Sequence, residues 1–367
     1  MKLLLVARPF AFHGGVERAT AGLVKALVEH GYELHLATPP GQDPVDGVVL
    51  HRLPVPGLSA TARALLLAGA TRLLAARGWD VVQSHERTLG QDIYRAGEGC
   101  HRAYLENRGR PTGRRLYHRV LLALERRVFV GTPRIVAISR MGQREIETLY
   151  DVGPDRISVI YNGVDLQRFH PANRGTMRAA ARAEAGLPAE AWTALFVGSG
   201  FERKGLATAV EAMAVLGDPR SRLVVIGKGD PGPYQELAAR HGVAEQVIWL
   251  GPRPDVERWY AAADAAVLPS RYEPFGNVHL EALASGLPIV TSVTAGGSEV
   301  VRVGVNGFIV DPKDPRAVAG GLAELRQRAG GMSEAARAAA EPFTYAAQVA
   351  AFAPLYARCA AAKPKLS

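Results

Sequence analysis

Two stretches of the 367-residue chain gather residue types that could do chemistry. The first is Phe196-Val197-Gly198-Ser199-Gly200-Phe201-Glu202-Arg203-Lys204-Gly205, which continues an apolar, strand-like run. Glycines let the backbone turn sharply and come close to a ligand, and the adjoining arginine and lysine bring two positive charges. The spacing is neither that of a GxGxxG dinucleotide turn nor that of a Walker phosphate loop. A diphosphate held by side-chain cations fits it. So does a solvated basic turn, and spacing alone leaves both open.

The second stretch is Pro269-Ser270-Arg271-Tyr272-Glu273-Pro274-Phe275-Gly276-Asn277-Val278-His279-Leu280-Glu281-Ala282-Leu283. It follows another strand-like run and opens a helix near Asn277. Backbone N–H groups at Phe275, Gly276 and Asn277 would point out of that helix start and favour a phosphate or sugar oxygen. Glu273 falls in the loop and Glu281 about one turn into the helix, a placement that does not suit a glycosidase acid/base pair. Each carboxylate suits hydrogen bonds from hydroxyls, one set on a sugar and one on a ribose. Taken alone, Glu281 also reads as ordinary stabilisation of a helix dipole.

These loops need strands to deliver them. Strand-like runs alternate with helical ones along the whole chain, which predicts parallel sheets covered by helices. In the first half they fall at residues 2–7, 33–38, 81–84 and 135–138, with a helix from about Gly15 to His30. A second series falls at 194–197, 223–226, 247–250, 266–268 and 288–291. The length exceeds the roughly 250–300 residues of one core, so two domains are expected, 1–168 and 169–345, with a helix at 346–367 that could cross back to the first. Both read as Rossmann-like units, which bind ligands at the carboxyl ends of their strands.

Composition excludes several classes. Hydrophobic residues at 48% and charged ones at 22% describe an ordinary globular protein. Two cysteines cannot build a disulfide framework. The apolar start, Leu3 to Ala7, is shorter than the roughly 7–15 residues of a secretory core, and Arg72 interrupts the best candidate for a membrane span. The net charge of +9 is concentrated in Arg102 to Arg127, where eight arginines stand against Glu106 and Glu125. Leu116, Val120, Leu124 and Val128 recur there at helical spacing, so the segment reads either as an amphipathic helix on an anionic membrane surface or as a helix packed into the first domain. No nucleic-acid recognition motif is present.

Taken together, these motifs resemble a retaining GT-B glycosyltransferase of family 4. The resemblance rests on Glu273 and Glu281 as an E-x7-E pair, on the Gly198–Gly205 loop and on Asn162-Gly163-Val164-Asp165. Gly286-Leu287-Pro288-Ile289-Val290, Gly296-Gly297 with Glu299, and Gly304-Val305-Asn306-Gly307-Phe308-Ile309-Val310 extend it. It implies an α/β fold of two Rossmann-like domains with parallel sheets facing a central cleft. It assigns Arg203 and Lys204 to a donor diphosphate, with Ser199 and Gly200 beside it. Glu281 would hold the ribose, and Glu273 with Phe275, Gly276, Asn277 and Val278 the donor sugar. Arg253 and Pro254 match the loop that frames the base.

In the first domain, His13-Gly14-Gly15 resembles the family's glycine pair facing the diphosphate. His85, Glu98 and His101 fall on the acceptor side, where residues 96–101 look like the loop of lipopolysaccharide-core glucosyltransferases. Glu98 would orient the acceptor hydroxyl or stabilise positive charge at the anomeric carbon.

The implied reaction moves a hexose, with UDP-glucose as the first choice of donor, to a glycolipid or oligosaccharide, with lipopolysaccharide core the first choice of acceptor. Neither cofactor nor metal is expected, consistent with the lack of Asp-x-Asp and HExxH in the sequence. The implied location is cytoplasmic, peripheral on the inner face of the plasma membrane. UDP-GlcNAc or GDP-mannose are alternative donors. A non-catalytic polyanion- or membrane-binding protein on the same scaffold is the alternative of another class.

Overall fold

The computed structural model describes residues 1–10, 14–55, 59–107 and 115–363. They form two compact units, Met1–Gly163 with Tyr345–Ser367, and Val164–Thr344. His13 of the expected glycine motif, and Arg108, Arg110 and Arg114 of the basic segment, lie outside the described residues.

Unit 1 is built on β1 (Lys2–Val6), β2 (Glu33–Thr38), β3 (Val48–Arg52), β4 (Val81–Ser84), β5 (Ile93–Ala96), β6 (Arg134–Ala137) and β7 (Ile157–Val159). They pair in parallel in the order β3-β2-β1-β4-β5-β6-β7. Unit 2 holds β8 (Thr193–Val197), β9 (Arg222–Ile226), β10 (Val247–Gly251), β11 (Ala265–Leu268), β12 (Ile289–Ser292) and β13 (Gly307–Val310). These are also all parallel, in the order β10-β9-β8-β11-β12-β13. Each unit is Rossmann-like, as its alternating pattern predicts. The strand order reverses between β1 and β4 in one and between β8 and β11 in the other. At such a switch point the crossover helices leave to opposite faces and open a crevice at the carboxyl ends.

Burial on both faces explains the continuous apolar strands. Leu3, Leu4, Leu5 and Val6 of β1 are fully buried. Leu3 and Leu5 pack with Leu23 and Leu27 of the helix Gly15–Glu29 and with Phe352 and Tyr356 of the helix Tyr345–Ala361. Leu4 and Val6 point the other way, onto Leu53, Leu74 and Trp79. The last helix of the chain is thus part of the core of unit 1, and Tyr356 donates from its hydroxyl to Gln83 Oε1 at 2.8 Å.

Strands β3, β5, β7 and β13 go beyond the sequence reading, and two departures bear on unit 1. Strand β5 was not expected, because Arg95 interrupts its apolar run; the arginine is nevertheless buried. The apolar stripe of the basic helix, now Arg115–Gly131, is divided between two environments. Leu124, Val128 and Phe129 are inside the core, with the Phe129 ring 5.5 Å from that of Tyr94. Leu116 is 70% exposed, and Arg115, Arg119, Arg126 and Arg127 face outward.

Glu125, on the buried face of that helix, has no exposed side-chain surface. It accepts from Arg87 Nε (2.9 Å), from the backbone N–H groups of His101 (2.7 Å) and Arg102 (3.2 Å), and from the Tyr150 hydroxyl. Replacing it with leucine leaves the Arg87 cation unpaired at that end. Glu125→Leu should therefore destabilise unit 1 by about 3–5 kcal/mol, read as a lower urea midpoint. Glu106→Ala removes only an exposed pair with Arg102 and should change it by less than about 0.5 kcal/mol.

Candidate functional site

In unit 2 the site is assembled by loops that leave β8, β11 and β12 at their carboxyl ends. Gly205 closes the first loop at φ +74°, and a Cβ there would run into the carbonyl of Pro269. Only glycine lets the β8 loop lie this close to the β11 loop. The two loops then bond directly: Arg271 N donates to Arg203 O at 2.8 Å, and Arg203 Nη1 to Tyr272 O at 2.9 Å. Glu273 is fixed from the third side. Its N–H donates to Thr294 O (3.1 Å) and its carbonyl accepts from Gly296 N (2.8 Å).

This frame brings Arg203, Lys204 and Glu273 together. Arg203 Nη1 lies 2.7 Å from Glu273 Oε2, and the Lys204 ammonium pairs with the same oxygen. The lysine and the carboxylate are buried, whereas the arginine side chain keeps 32% of its surface. Burial pushes the Glu273 carboxyl up, but Lys204 and Arg203 outweigh it and hold it at about 2. Burial, helped by Arg203, pulls the Lys204 ammonium down against the pull of Glu273. Desolvation thus costs the lysine more than one carboxylate returns. The cluster has two cations for one anion.

Other expected residues lie around it. Glu281 is buried on the helix Val278–Ala284 and accepts from the Tyr260 hydroxyl at 2.9 Å. Phe275 packs wholly inside, and Gly276, Asn277 and Val278 are half-buried. Ser199 Oγ accepts from Lys228 N (3.1 Å), and Gly200 N donates to Lys228 O (3.4 Å), tying the β8 loop to the β9 loop. Arg253 pairs with Glu184 at 3.1 Å and lies over the Trp259 ring, while Pro254 O accepts from Arg168 at 2.8 Å.

His279 was missed by sequence reasoning. Its Nδ1 donates to Gly276 O (2.7 Å) and its Nε2 accepts from the Thr291 hydroxyl (2.6 Å). Burial holds the ring at about 4, so it is neutral and pins the Gly276 turn.

Unit 1 gathers a second cluster beyond β1, β4 and β5. Arg8 makes a fork with Glu86 (2.8 and 3.1 Å) and reaches Glu98 Oε1 at 2.6 Å. Arg87 takes the other Glu98 oxygen at 2.8 Å and ends on Glu125. Burial raises the Glu98 carboxyl, but the two arginines dominate and hold it at about 2. Glu98 therefore stays ionised and acts as a hydrogen-bond acceptor. Arg8, Glu86 and Arg87 carried no sequence signal of their own, because nothing in spacing shows that residues from three strand ends converge.

His85 is buried and not on the surface. Its Nδ1 meets Thr20 Oγ1 (3.3 Å) and its Nε2 meets Gln83 Nε2 (2.9 Å). Burial, then Arg95 and Arg8, keep it well below the usual histidine range. His101 stacks on His118 with 2.9 Å between ring nitrogens, and burial followed by Arg87 lowers it to about 4. Gly14 caps the helix Gly15–Glu29, and the Glu17 carboxylate folds back against it. Among the described residues no three His, Cys, Asp or Glu side chains converge as metal ligands.

Two Rossmann-like units in one chain, each with polar clusters at its switch point, define the GT-B class. Residues 13–168 match the family described as Glycosyltransferase Family 4, and residues 177–341 match Glycosyl transferases group 1. A D-inositol 3-phosphate glycosyltransferase of Xylanimonas cellulosilytica is 32% identical across 96% of this chain and 93% of its own length. Its counterpart in Thermobispora bispora is 37% identical over 61% of this chain; the match spans only 55%, about half, of that relative. WaaG, a glycosyltransferase involved in lipopolysaccharide biosynthesis, shares the fold with a TM-score of 0.80 at 23% identity, over 95% of this chain and 98% of WaaG. The chain belongs to this family of glycosyltransferases.

The Glu273 geometry has a pH signature. Its folded value lies below the ordinary 4.5, so the stability it contributes is present above pH 4.5 and is lost as pH falls toward 2. Glu273→Gln should melt below wild type at pH 7, with the gap closing progressively below about pH 4.5. Glu98 titrates in the same window in both proteins and cancels in the difference. A gap unchanged down to pH 3 would rule out the ion-paired carboxylate.

Proposed function

We propose that the protein is a retaining, metal-independent glycosyltransferase that moves a hexose from a nucleoside diphosphate donor to a hydroxyl of a glycan or glycolipid. The convergence of Arg203 and Lys204 on one buried carboxylate carries this reading. Two cations held at one point, with 32% of the Arg203 side chain exposed, suit the two charged phosphates of such a donor. Glu281 takes the ribose, and Glu273 with residues 275–278 takes the sugar. Ser199, Gly200, Arg253 and Pro254 frame the phosphates and base, and the family resemblance assigns Gly14 and Gly15 to the same donor. His85, Glu98 and His101 stand on the acceptor side.

In the proposed step the bond from the anomeric carbon to the diphosphate oxygen breaks. The acceptor oxygen attacks the same face, and its proton passes to the departing phosphate. UDP-glucose is the first donor to test and lipopolysaccharide core the first acceptor. The nearly full-length likeness to a D-inositol 3-phosphate glycosyltransferase favours a second acceptor reading, a phosphorylated polyol.

A thermal-shift screen with UDP, GDP, ADP and their sugars tests the donor. A nucleotide at about a hundred times its Kd should stabilise the protein by about 2.7 kcal/mol, with no dependence on EDTA, and Lys204→Ala should abolish the response. Silence across all nucleotides in folded protein would favour the non-catalytic polyanion binder.

The location proposed is cytoplasmic, at the inner face of the plasma membrane, through Arg102–Arg127. No helix among the described residues is long and apolar enough to cross a membrane. The exposed Leu116 stands among outward arginines, and Leu65, Leu66 and Leu73 are exposed on the helix Ala60–Ala75, which packs against the basic one. Each such charge is worth about 1 kcal/mol at an anionic surface, so reversing Arg115, Arg119 and Arg126 to Glu should weaken vesicle binding by about a hundredfold or more. Co-sedimentation with phosphatidylglycerol vesicles measures it, and equal binding by the triple variant would refute the attachment.

A further inference from the structure

Arg95 is a charged group that the proposed chemistry does not use. It sits in β5 and is 2% exposed. No described carboxylate lies within ion-pair distance; the ionisable groups acting on it are Tyr345, Tyr356 and Tyr94. Burial lowers it to about 10, so it remains a cation at neutral pH. Its Nε has no hydrogen-bond partner among the described residues. A buried, carboxylate-free guanidinium is costly, and its contacts show what it holds.

Those contacts fall on the turn that carries Glu98 and on the links between the units. Nη2 donates to Asn162 Oδ1 at 2.5 Å. Nη1 lies against Gly97, where a Cβ would be 2.5 Å away. Gly97 begins the turn Ala96–Gly99, closed by Gly99 N donating to Ala96 O at 3.0 Å, from which Glu98 projects. Asn162 immediately precedes Gly163, the last residue of unit 1 before the chain enters unit 2. The returning chain re-enters unit 1 at Tyr345, and a Cβ at Gly163 would lie 2.6 Å from Tyr345 Cδ1. One residue further on, Val164 N donates to Phe343 O at 2.8 Å. The outgoing and returning passages therefore run side by side, and the Arg95 fork joins them to the Glu98 turn.

We propose that Arg95 is a positioning residue that transmits donor binding on unit 2, through Asn162 and the paired passages, to the turn that presents Glu98. The inference rests on the donor reading above. With no carboxylate among the described residues anchoring it elsewhere, the guanidinium is located by Asn162 and by the turn it touches. A shift of the passage must therefore move the fork, and with it the turn. Lysine at this position keeps the charge but has one nitrogen, which cannot serve both partners.

Hydrogen exchange at the amides of residues 97–100, with and without UDP, tests this; GDP replaces UDP if the screen selects it. In wild type the nucleotide should slow their exchange by about fivefold or more, and Arg95→Lys and Asn162→Ala should cut that to under about twofold while nucleotide affinity changes by less than about threefold. Asn162→Asp, which still accepts from the guanidinium, should retain the wild-type response. Asn162→Ala also keeps the test decisive if Arg95→Lys fails to fold.

A simple packing role would leave nucleotide-dependent protection intact in every folded variant, and that outcome would overturn the proposal. So would nucleotide binding to wild type with no change at 97–100. Absence of nucleotide binding would instead overturn the donor reading on which the inference stands.

Discussion

Parallel pairing is the constraint on which everything else depends. Strands that all run one way must be joined by crossovers, so their carboxyl ends collect at one edge of the sheet. The strand interiors are largely apolar: Leu3 to Val6 of β1 are fully buried, β8 and β11 have no exposed residues, and Arg95 in β5 is an exception. Many of the charged groups that cluster do so at that edge. Arg8, Glu86, Arg87 and Glu98 follow β1, β4 and β5, while Arg203, Lys204 and Glu273 follow β8 and β11. Both groups fall at the reversal of strand order, where opposite crossovers leave space beside the sheet.

The two edges handle charge differently. In unit 2, two cations share one carboxylate, and the lysine is left short of compensation. An incoming anion would supply what the protein does not. In unit 1 the ionic chain alternates from Glu86 through Arg8, Glu98 and Arg87 to Glu125 and holds one more carboxylate than arginines. Such a chain gains little from a phosphate. Its fixed donors and acceptors suit neutral hydroxyls, whose bonding directions it can match without losing more side-chain freedom. This asymmetry supports the division of donor and acceptor between the units, and weighs toward hydroxyl rather than phosphate recognition beside Glu98.

Much of the fold was legible because burial on both faces writes itself as apolar runs: β1, β2, β4, β6 and β8 through β12 fall within a residue or so of the stretches read from the sequence. The strands that escaped do not carry that mark. Residues of β3 are half-exposed at one sheet edge, β13 is only half-buried after Gly307 at an edge of the other sheet, β7 has three residues, and β5 contains Arg95. In the site, Arg203, Lys204 and Glu273 stand out because glycines and charges cluster locally. The Arg8–Glu125 chain does not: its members are spread over more than a hundred residues, and only the three-dimensional sheet order makes them neighbours. The stripe of the basic helix shows a further limit. Helical spacing specifies that Leu116 and Leu124 share a face, but not that one meets solvent and the other the core.

The distribution of proton affinities bears on the proposed chemistry. Transfer to a hydroxyl requires a group to take its proton, and four of the candidates are poor ones, while Glu86, raised by burial, is tied up in the Arg8 fork. Glu98 and Glu273 are held at about 2 by their cations. His101 is at about 4, and His85 lies well below the usual range with both ring nitrogens already bonded. A phosphate released from a sugar has a second pKa of about 6, so its oxygen is a better base than any of these. It is also formed where the acceptor must approach if configuration is retained. The same ion pairs that make the carboxylates weak bases keep them charged, which is the property needed to steady a positively charged anomeric carbon. The weakness of these bases therefore favours a front-face substitution over one that depends on Glu98 or Glu273 to remove the proton.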